Sequence, residues 1–339
     1  ALESLKGSHP ETGGLSTYEH GREYYAYLAS ALTGTDSSVD ALKTRIEKQM
    51  QADLSEIRVR LKEHPELIRQ MTDSAITLSD PDEILQNLQV QIQDDFPALT
   101  DTSYTLKYVP EALESSLSPA FFLVPPIDSD GSNTIYINEK ASTEQNLYTM
   151  LAHEGYPGHL YQTVYSSLVC DTQTLPIRKL FSYGGYVEGW AYYTERISYE
   201  YAAQVLAEAE GSLGSSYPAA LLCTLLAQQR DLQINLFCLL DLSLHYYGAE
   251  ESELLRSLES FGLSEEQSER VYDYLRTAPA VYLKYYVGYL EMNALKKRAE
   301  LQWSDNFSLL RFHRFVLEAG PSDFENLTKR LKQTAAKTG

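Results

Sequence analysis

The sequence predicts a mainly α-helical fold with a small β-hairpin or sheet just before the helix that carries its most informative motif. Two observations favour helices: apolar residues recur at three- and four-residue spacing along most of the chain, and plausible caps such as Asp80-Pro81 precede these stretches. Neither an internal repeat nor a low-complexity linker interrupts the pattern, so we expect one mostly helical domain over residues 1–339. With 43% hydrophobic and 22% charged residues, this chain can bury a large core.

The helical pattern divides into segments whose ends are set by caps and by turn residues. Ser264 with Gln267 has the spacing of a capping box, and Ser304-Asp305 is a second typical helix start. GSLGSSYP, residues 211–218, separates two long segments as a loop. The predicted helices cover residues 17–33, 38–63, 82–95, 142–156, 183–209, 217–247, 250–260, 264–276, 280–302, 305–318 and 322–335.

One segment has a different pattern, rich in residues that favour strands. AFFLVPPI at 120–127 and TIYIN at 134–138 flank DSDGSN, whose Asp, Gly, Ser and Asn residues are typical of a turn. We therefore predict a β-hairpin. Its edge could pair with an extended peptide by strand addition, which binds a peptide backbone without selecting its side chains.

The charge balance excludes one class of partner. The chain has 28 Lys and Arg residues against 47 Asp and Glu residues, a formal net charge of −19 that would repel phosphate backbones. We expect no nucleic-acid partner, and no pattern in the sequence indicates an oligomeric state.

The sequence also lacks a membrane-spanning segment and a signal peptide. No stretch approaches the roughly eighteen apolar residues that a transmembrane helix needs, and ALESLKGSHPETGG at the start has no basic-then-apolar layout. The first residue is Ala1 rather than Met. We therefore expect a soluble chain whose targeting or lipoprotein segment has been removed, which is compatible with an extracytoplasmic location without establishing it.

The most informative motif is LAHEGYPGH, which lies at the end of a predicted amphipathic helix. In the zinc-peptidase pattern HExxH, two histidines four residues apart project from one helical face, and the Glu between them activates a water. His153 and Glu154 match the start of that pattern, but position 157 is Pro. His159 follows His153 by six residues, about 240° around a regular helix and therefore on the wrong side.

Pro157 and Gly158 offer a way to bring the two histidines together. Pro157 cannot donate to the carbonyl of residue 153, and Gly158 tolerates unusual backbone angles, so the helix should kink or bulge there. Such a distortion could turn His159 back toward His153. The alternative is that Pro-Gly ends the helix and the histidines are unrelated.

Glu188 is the candidate third ligand. It stands in the aromatic and apolar stretch YGGYVEGWAYY, and a buried carboxylate needs a cation or hydrogen-bond donors. Glu195 lies on nearly the same helical face but about 10.5 Å further along the axis, so a zinc ion can bind only one of the two. Glu188 is preferred because of its apolar neighbours and adjacent glycine, and Tyr192 is a candidate for steadying a ligand.

HEGYPGHLYQ followed by EGWAYYTE resembles the bacterial domain-of-unknown-function 885 family, whose hallmarks are HExxPGH and a downstream EGWA. GREYYAYL, VPPIDSDGSNTIYIN, PAVYLKYYVG and FHRFVLEAG resemble family blocks in the same order. The resemblance implies a helical fold similar to zinc oligopeptidases and carboxypeptidases, with this chain as the C-terminal, catalytic part of a longer protein. Two departures are PAV at 279–281, where many members have PGQ, and His159-Leu160, where many have two histidines.

These residues predict a zinc-dependent peptidase acting on peptide substrates, with Zn²⁺ on His153, His159 and Glu188 and with Glu154 as general base. Two alternatives remain open: a noncatalytic peptide-binding module with a structural or lost metal, and a metal-dependent hydrolase of other amides or esters.

Two further residues are candidates for catalysis. The resemblance points to Tyr285 as the donor to the oxyanion, with Tyr282 and Tyr286 as rivals on the same predicted helix. His313, in a Phe-His pair on a late helix, could bind a substrate carboxylate or carbonyl. A satisfied structural histidine is the alternative for His313.

Overall fold

A computed structural model describes residues 13–73, 76, 78–99, 102–126, 132–143, 145–170, 181–209 and 217–335. Within these ranges the chain forms thirteen α-helices and three strands, so the prediction of a mainly α fold with a small sheet is confirmed. In chain order the elements are α1 (Gly21–Thr33), α2 (Val39–Glu63), α3 (Leu67–Asp73), α4 (Pro81–Gln91), β1 (Tyr104–Tyr108), β2 (Ala120–Leu123), β3 (Asn133–Ile137), α5 (Leu147–Glu154), α6 (His159–Cys170), α7 (Gly184–Ala209), α8 (Tyr217–Leu242), α9 (Glu251–Ser260), α10 (Glu265–Thr277), α11 (Val281–Trp303), α12 (Leu309–Ala319) and α13 (Phe324–Ala335).

Caps explain where several helices begin. Asp80 accepts from the backbone amides of Asp82 and Glu83 at the start of α4, and Ser264 and Gln267 form the predicted capping box of α10. The predicted helix over 142–156 begins only at Leu147, because Thr143 and Asn146 bond to each other's backbone amides in a turn. The prediction over 217–247 covers α8 and a π-helical turn at Ser243–Tyr247.

The three strands form one sheet with the order β1-β3-β2. The predicted hairpin is present as the antiparallel pair β2 and β3, although the predicted turn between them lies mostly outside the described residues. Sequence reasoning missed β1, which pairs in parallel with β3, and it also missed the helices α3 and α6. Because β3 is central, β2 is an edge strand.

Helices α7 and α11 lie at the centre of the fold and approach so closely that their backbones touch. An added Cβ on Gly189 of α7 would lie 2.4 Å from the carbonyl carbon of Gly288 on α11. A Cβ on Gly288 would lie 2.2 Å from the carbonyl oxygen of Gly185. Glycine is therefore required on both helices, and the contact brings the first half of α11 against Glu188.

None of the described helices combines the length and apolar character that crossing a bilayer requires.

Candidate metal site

The segment between α5 and α6 is a complete break rather than a kink in one helix. Helix α5 ends at Glu154, residues 155–158 follow with a cis peptide bond between Tyr156 and Pro157, and α6 begins at His159. The amide of Gly158 donates to the carbonyl of Ala152 at 2.9 Å, which folds the break back onto the end of α5. The first helix thus ends before Pro-Gly, and the second helix starts directly after it at His159.

The break brings His153 and His159 together. Their ring centroids are 4.9 Å apart with the planes nearly perpendicular, at 80°. Glu188, on the first turns of α7, places its Oε2 3.2 Å from Nε2 of His159 and 4.0 Å from Nε2 of His153. One ligand atom from each of the three residues lies within 4.8 Å of the others. The three side chains predicted as metal ligands therefore converge.

Gly158 is essential to this convergence, because an added Cβ would lie 1.8 Å from the carbonyl oxygen of His153. We expect Gly158→Ala to displace His159, to lower zinc affinity at least ~10-fold and to reduce the free energy of unfolding by about 1–3 kcal/mol or more. Zinc titration and denaturant unfolding measure the two effects.

The matched control for Gly158→Ala is Gly262→Ala. An added Cβ at Gly262 meets nothing within 4 Å, although its φ of +107° makes any side chain strained there. We expect this variant to lose stability and to keep its zinc affinity. Equal zinc affinity in both variants would contradict the role assigned to Gly158.

The environment of Glu188 fits a metal ligand. Its Oε1 accepts from Nζ of Lys284 at 2.9 Å, whereas its buried Oε2 has no hydrogen-bond donor in good geometry among the described residues. Burial disfavours the negative charge of Glu188 and would raise the pKa of its carboxyl. The His159 imidazole and the Lys284 ammonium outweigh burial and lower this pKa to about 2. Two imidazole nitrogens and one carboxylate oxygen are the donor set of many catalytic zinc sites.

His153 is held from behind by a buried ion pair. Its Nδ1 donates to Oε2 of Glu195 at 2.9 Å, and Oε1 of Glu195 accepts from Nε of Arg230 at 2.9 Å. Burial would raise the pKa of the Glu195 carboxyl, but Arg230 and His153 outweigh burial and lower this pKa to about 2. This bond fixes the tautomer of His153 so that Nε2 faces Glu188 and His159.

Two other residues on this face of α7 have partners that the structure identifies. A glutamate in a polar stretch such as that of Glu195 can pair or face water, and the structure has the first outcome: Glu195 is 1% exposed and pairs with His153 and Arg230. Tyr192 does not steady a ligand, because its hydroxyl donates to Oδ1 of Asp231 at 2.8 Å. Glu195 lies seven residues after Glu188 on nearly the same face of α7. This spacing lets Glu195 reach Nδ1 of His153, while Glu188 lies on the Nε2 side.

Glu154 lies between the candidate metal ligands and the edge strand. Its Oε2 accepts from the backbone amide of Phe122 in β2 at 2.8 Å, and its Oε1 is 4.0 Å from Nε2 of His153. The side chain is 11% exposed. One oxygen is thus fixed by the strand, and the other is directed to the side where the ligands meet.

Tyr285 borders the same cluster. Its ring stacks on His153 with centroids 6.1 Å apart, and its hydroxyl makes no hydrogen bond within the described part of the chain. Burial and the nearby Glu188 raise the pKa of Tyr285 well above its usual value, so it stays protonated and can donate. Of its rivals, Tyr286 is fully buried and bonded to Asn235, and Tyr282 packs against the rings of Phe237 and Tyr274.

His313 is a core residue, so the expectation that it contacts substrate is wrong. It is 0% exposed, its Nδ1 donates to the carbonyl of Asp95 at 2.6 Å, and the hydroxyl of Tyr193 donates to its Nε2 at 2.9 Å. Burial lowers the pKa of His313 to about 3. With both ring nitrogens engaged and Phe96 stacked on it, the imidazole is a satisfied structural histidine.

Sequence reasoning missed Lys284, Arg230 and the amide of Phe122 at this site. Lys284 precedes Tyr285, so its place beside the site could have been inferred from the same segment. Arg230 lies on α8 and gives no signal in the sequence, because only the packing of α7 against α8 brings it to Glu195.

Two solved structures share this fold. A protein from Colwellia psychrerythraea, described as a "putative lipoprotein", superposes with a TM-score of 0.79 at 19% identity, covering 99% of this chain and 59% of its own. A "putative lipoprotein of unknown function" from Shewanella oneidensis has a TM-score of 0.67 at 18% identity, covering 97% of this chain and 62% of its own. The present chain thus spans about three fifths of the length of either protein.

A comparison with curated proteins finds no match. The sequence profile of the family described as "Bacterial protein of unknown function (DUF885)" matches residues 3–331. This match covers nearly the whole chain, including both motifs that the candidate metal site unites, and the chain therefore belongs to the DUF885 family.

Proposed function

We propose that this protein is a zinc-dependent peptidase. The observation that carries the proposal is the convergence of His153, His159 and Glu188 within 4.8 Å, with Glu154 beside them. A purely structural metal site would have no use for the second oxygen of Glu154, which is directed toward the cluster while Phe122 holds the first. Three protein ligands also leave a position open for water or substrate, which is the usual arrangement of a catalytic zinc site.

In the proposed hydrolysis, different residues of this chain have different roles. When bound, zinc would polarise the scissile carbonyl and acidify a water molecule. Glu154 takes the proton of the attacking water through Oε1 and passes it to the leaving amine, while the Phe122 amide holds Oε2. Tyr285 donates its hydroxyl proton in a hydrogen bond to the carbonyl oxygen as negative charge develops there.

Strand β2 supports a peptide as the substrate. The carbonyl of Pro119 accepts from Asn138 on the β3 side, whereas the Phe122 amide points away from β3 to Glu154. Because orientation alternates along a strand, the carbonyl of Phe122 also faces away from β3, whereas Ala120 is fully buried. An extended peptide could therefore pair with β2 only from Phe122 toward the exposed residues Leu123 and Val124, beside the proposed general base.

The experiment that tests the proposal combines metal analysis with substrate screening. Protein purified without added metal should contain about one zinc per chain, and it should cleave members of a peptide library. Removal of zinc with a chelator should stop cleavage, and added zinc should restore it. A zinc-loaded protein that cleaves acyl amides or esters but no peptide would favour the other hydrolase class. Bound zinc with no hydrolysis of any kind would contradict the proposal.

Replacing Tyr285 with Phe should lower kcat about 10²-fold with little change in KM, because the hydroxyl acts on the developing charge. Zinc content and the unfolding midpoint should stay unchanged. Steady-state kinetics on one peptide measures the effect.

Tyr282→Phe is the matched control, one turn earlier on α11. Its ring packs against Phe237 and Tyr274, so we expect its kcat to stay within about twofold. An unchanged kcat in Tyr285→Phe would remove Tyr285 from the mechanism.

An extracytoplasmic location is part of the proposal. Its support is the description of both similar structures as putative lipoproteins. Fractionation of the producing cells should recover the full-length protein outside the cytoplasm, and recovery with the cytoplasmic proteins would contradict this location.

A further inference from the structure

The two oxygens of the Glu188 carboxylate have different surroundings. Oε2 lies 3.2 Å from Nε2 of His159 and 4.0 Å from Nε2 of His153, and it has no hydrogen-bond donor in good geometry among the described residues. Oε1 accepts a hydrogen bond from Nζ of Lys284 at 2.9 Å. Only Oε2 is therefore free to bind a metal ion beside the two histidines.

The number of oxygens that Glu188 supplies decides how much of a bound metal ion is accessible to a substrate. A carboxylate can bind a metal ion through one oxygen or through both. Binding through both would fill two coordination positions with Glu188 alone. A catalytic zinc site needs a position that its three protein ligands leave open for water or substrate.

Lys284 is fixed beside Glu188 by its surroundings. Its aliphatic part packs against Gly184 of α7, since an added Cβ on Gly184 would lie 3.3 Å from Cδ of Lys284. Its ammonium lies 5.0 Å from the centroid of the Tyr285 ring, whose face attracts a cation. The Lys284 side chain is 21% exposed and the Glu188 side chain 14%, so water competes little for the hydrogen bond between them.

We propose that Lys284 is a positioning residue that keeps Oε1 of Glu188 away from the metal ion, so that Glu188 binds the ion through Oε2 alone. Both the hydrogen bond and the positive charge of Lys284 lie on the Oε1 side and disfavour a second metal–oxygen bond there. An ammonium has no acceptor atom, so Lys284 acts through Glu188 and not as a ligand. This inference rests on the metal site of the proposed function.

The direct test compares crystal structures of the zinc-loaded wild type and zinc-loaded Lys284→Met. Methionine keeps an unbranched apolar chain beside Gly184 and has no N–H group. In the wild type we expect Oε2 of Glu188 at about 2.0–2.2 Å from zinc and Oε1 hydrogen-bonded to Lys284. In Lys284→Met we expect both oxygens to bind zinc. Two bound oxygens in the wild type, or Oε2 alone in the variant, would overturn the proposal.

Cobalt substitution tests the same point in solution. The visible absorption of Co²⁺ is much stronger in a tetrahedral site than in a site with more ligand atoms. We expect strong absorption in the wild type and in Lys284→Arg, whose guanidinium can still donate to Oε1, and weak absorption in Lys284→Met. Lys297→Met removes an exposed lysine from the same helix and should keep the wild-type spectrum. A wild-type spectrum in Lys284→Met would refute the role of Lys284.

These measurements distinguish the inference from the peptidase proposal, because neither of them requires turnover. Zinc bound through Oε2 alone in the wild type and through both oxygens in Lys284→Met, without any peptide cleavage, would support the inference and contradict the peptidase proposal. Peptide cleavage by a wild type in which both oxygens bind zinc would do the reverse. A wild type that takes up neither zinc nor cobalt would contradict both.

Discussion

Replacing Glu154 with Gln should reduce peptide cleavage by roughly 10²- to 10⁴-fold while one zinc per chain stays bound. Gln has the shape of Glu and can still accept from the Phe122 amide at the position of Oε2. It cannot take a proton from water, so the loss falls on kcat. Peptide hydrolysis and metal analysis on the same preparation measure both quantities.

Glu139→Gln provides a matched control, since Glu139 is an exposed glutamate just after β3. It should leave both activity and zinc content at wild-type values. Full activity in Glu154→Gln would show that another group accepts the proton, and loss of zinc would make Glu154 a ligand rather than a base.

The convergence of His153, His159 and Glu188 could be predicted from the sequence because each of these candidate ligands has a local signal. His153 and Glu154 occupy one helical turn, Pro157 and Gly158 mark a break, and Glu188 is an acidic residue in an apolar stretch. Local patterns could not decide the form of the break. A kink or bulge within one helix and a break between two helices satisfy the same spacing, and the structure has a break over residues 155–158 that is closed by the hydrogen bond from the Gly158 amide to the Ala152 carbonyl.

Other features depend on tertiary packing and could not be predicted from local patterns. The sequence placed Glu195 in a polar stretch beside Arg196, but its partners come from α5 and α8. For His313, local sequence suggested a binding residue where the structure has a core residue. A histidine next to Phe312 is compatible with either a binding site or a core. Contacts with Asp95 and Tyr193, more than a hundred residues away, decide for the core.

The close contact of α7 with α11 connects the two motifs that the sequence presents separately. Gly189 directly follows Glu188 in the sequence, and Gly288 lies three residues after Tyr285. Because these glycines touch, the candidate third ligand and the candidate oxyanion donor are fixed relative to each other by backbone contact rather than by flexible side chains. Such rigidity favours a site that must hold a reacting group within a small tolerance.

Glu188→Ala should lose zinc and activity together, because it removes one of three ligands and leaves Lys284 without its partner. Glu195→Ala should retain zinc with affinity reduced by roughly 10- to 100-fold, since it removes the group that orients His153 without removing a ligand. We therefore expect a graded series in zinc affinity, which competition with a chromogenic chelator measures.

This graded series of zinc affinities distinguishes a metal ligand, Glu188, from a residue that acts by orienting a ligand, Glu195. Glu200→Ala, an exposed glutamate further along α7, should bind zinc like the wild type. Glu195→Gln should recover part of the loss in Glu195→Ala, because its side-chain carbonyl can still accept from Nδ1 of His153. If Glu188→Ala kept stoichiometric zinc while Glu195→Ala lost it, the two assignments would be reversed. The metal would then lie on the Nδ1 side of His153, where the structure has the ion pair with Arg230.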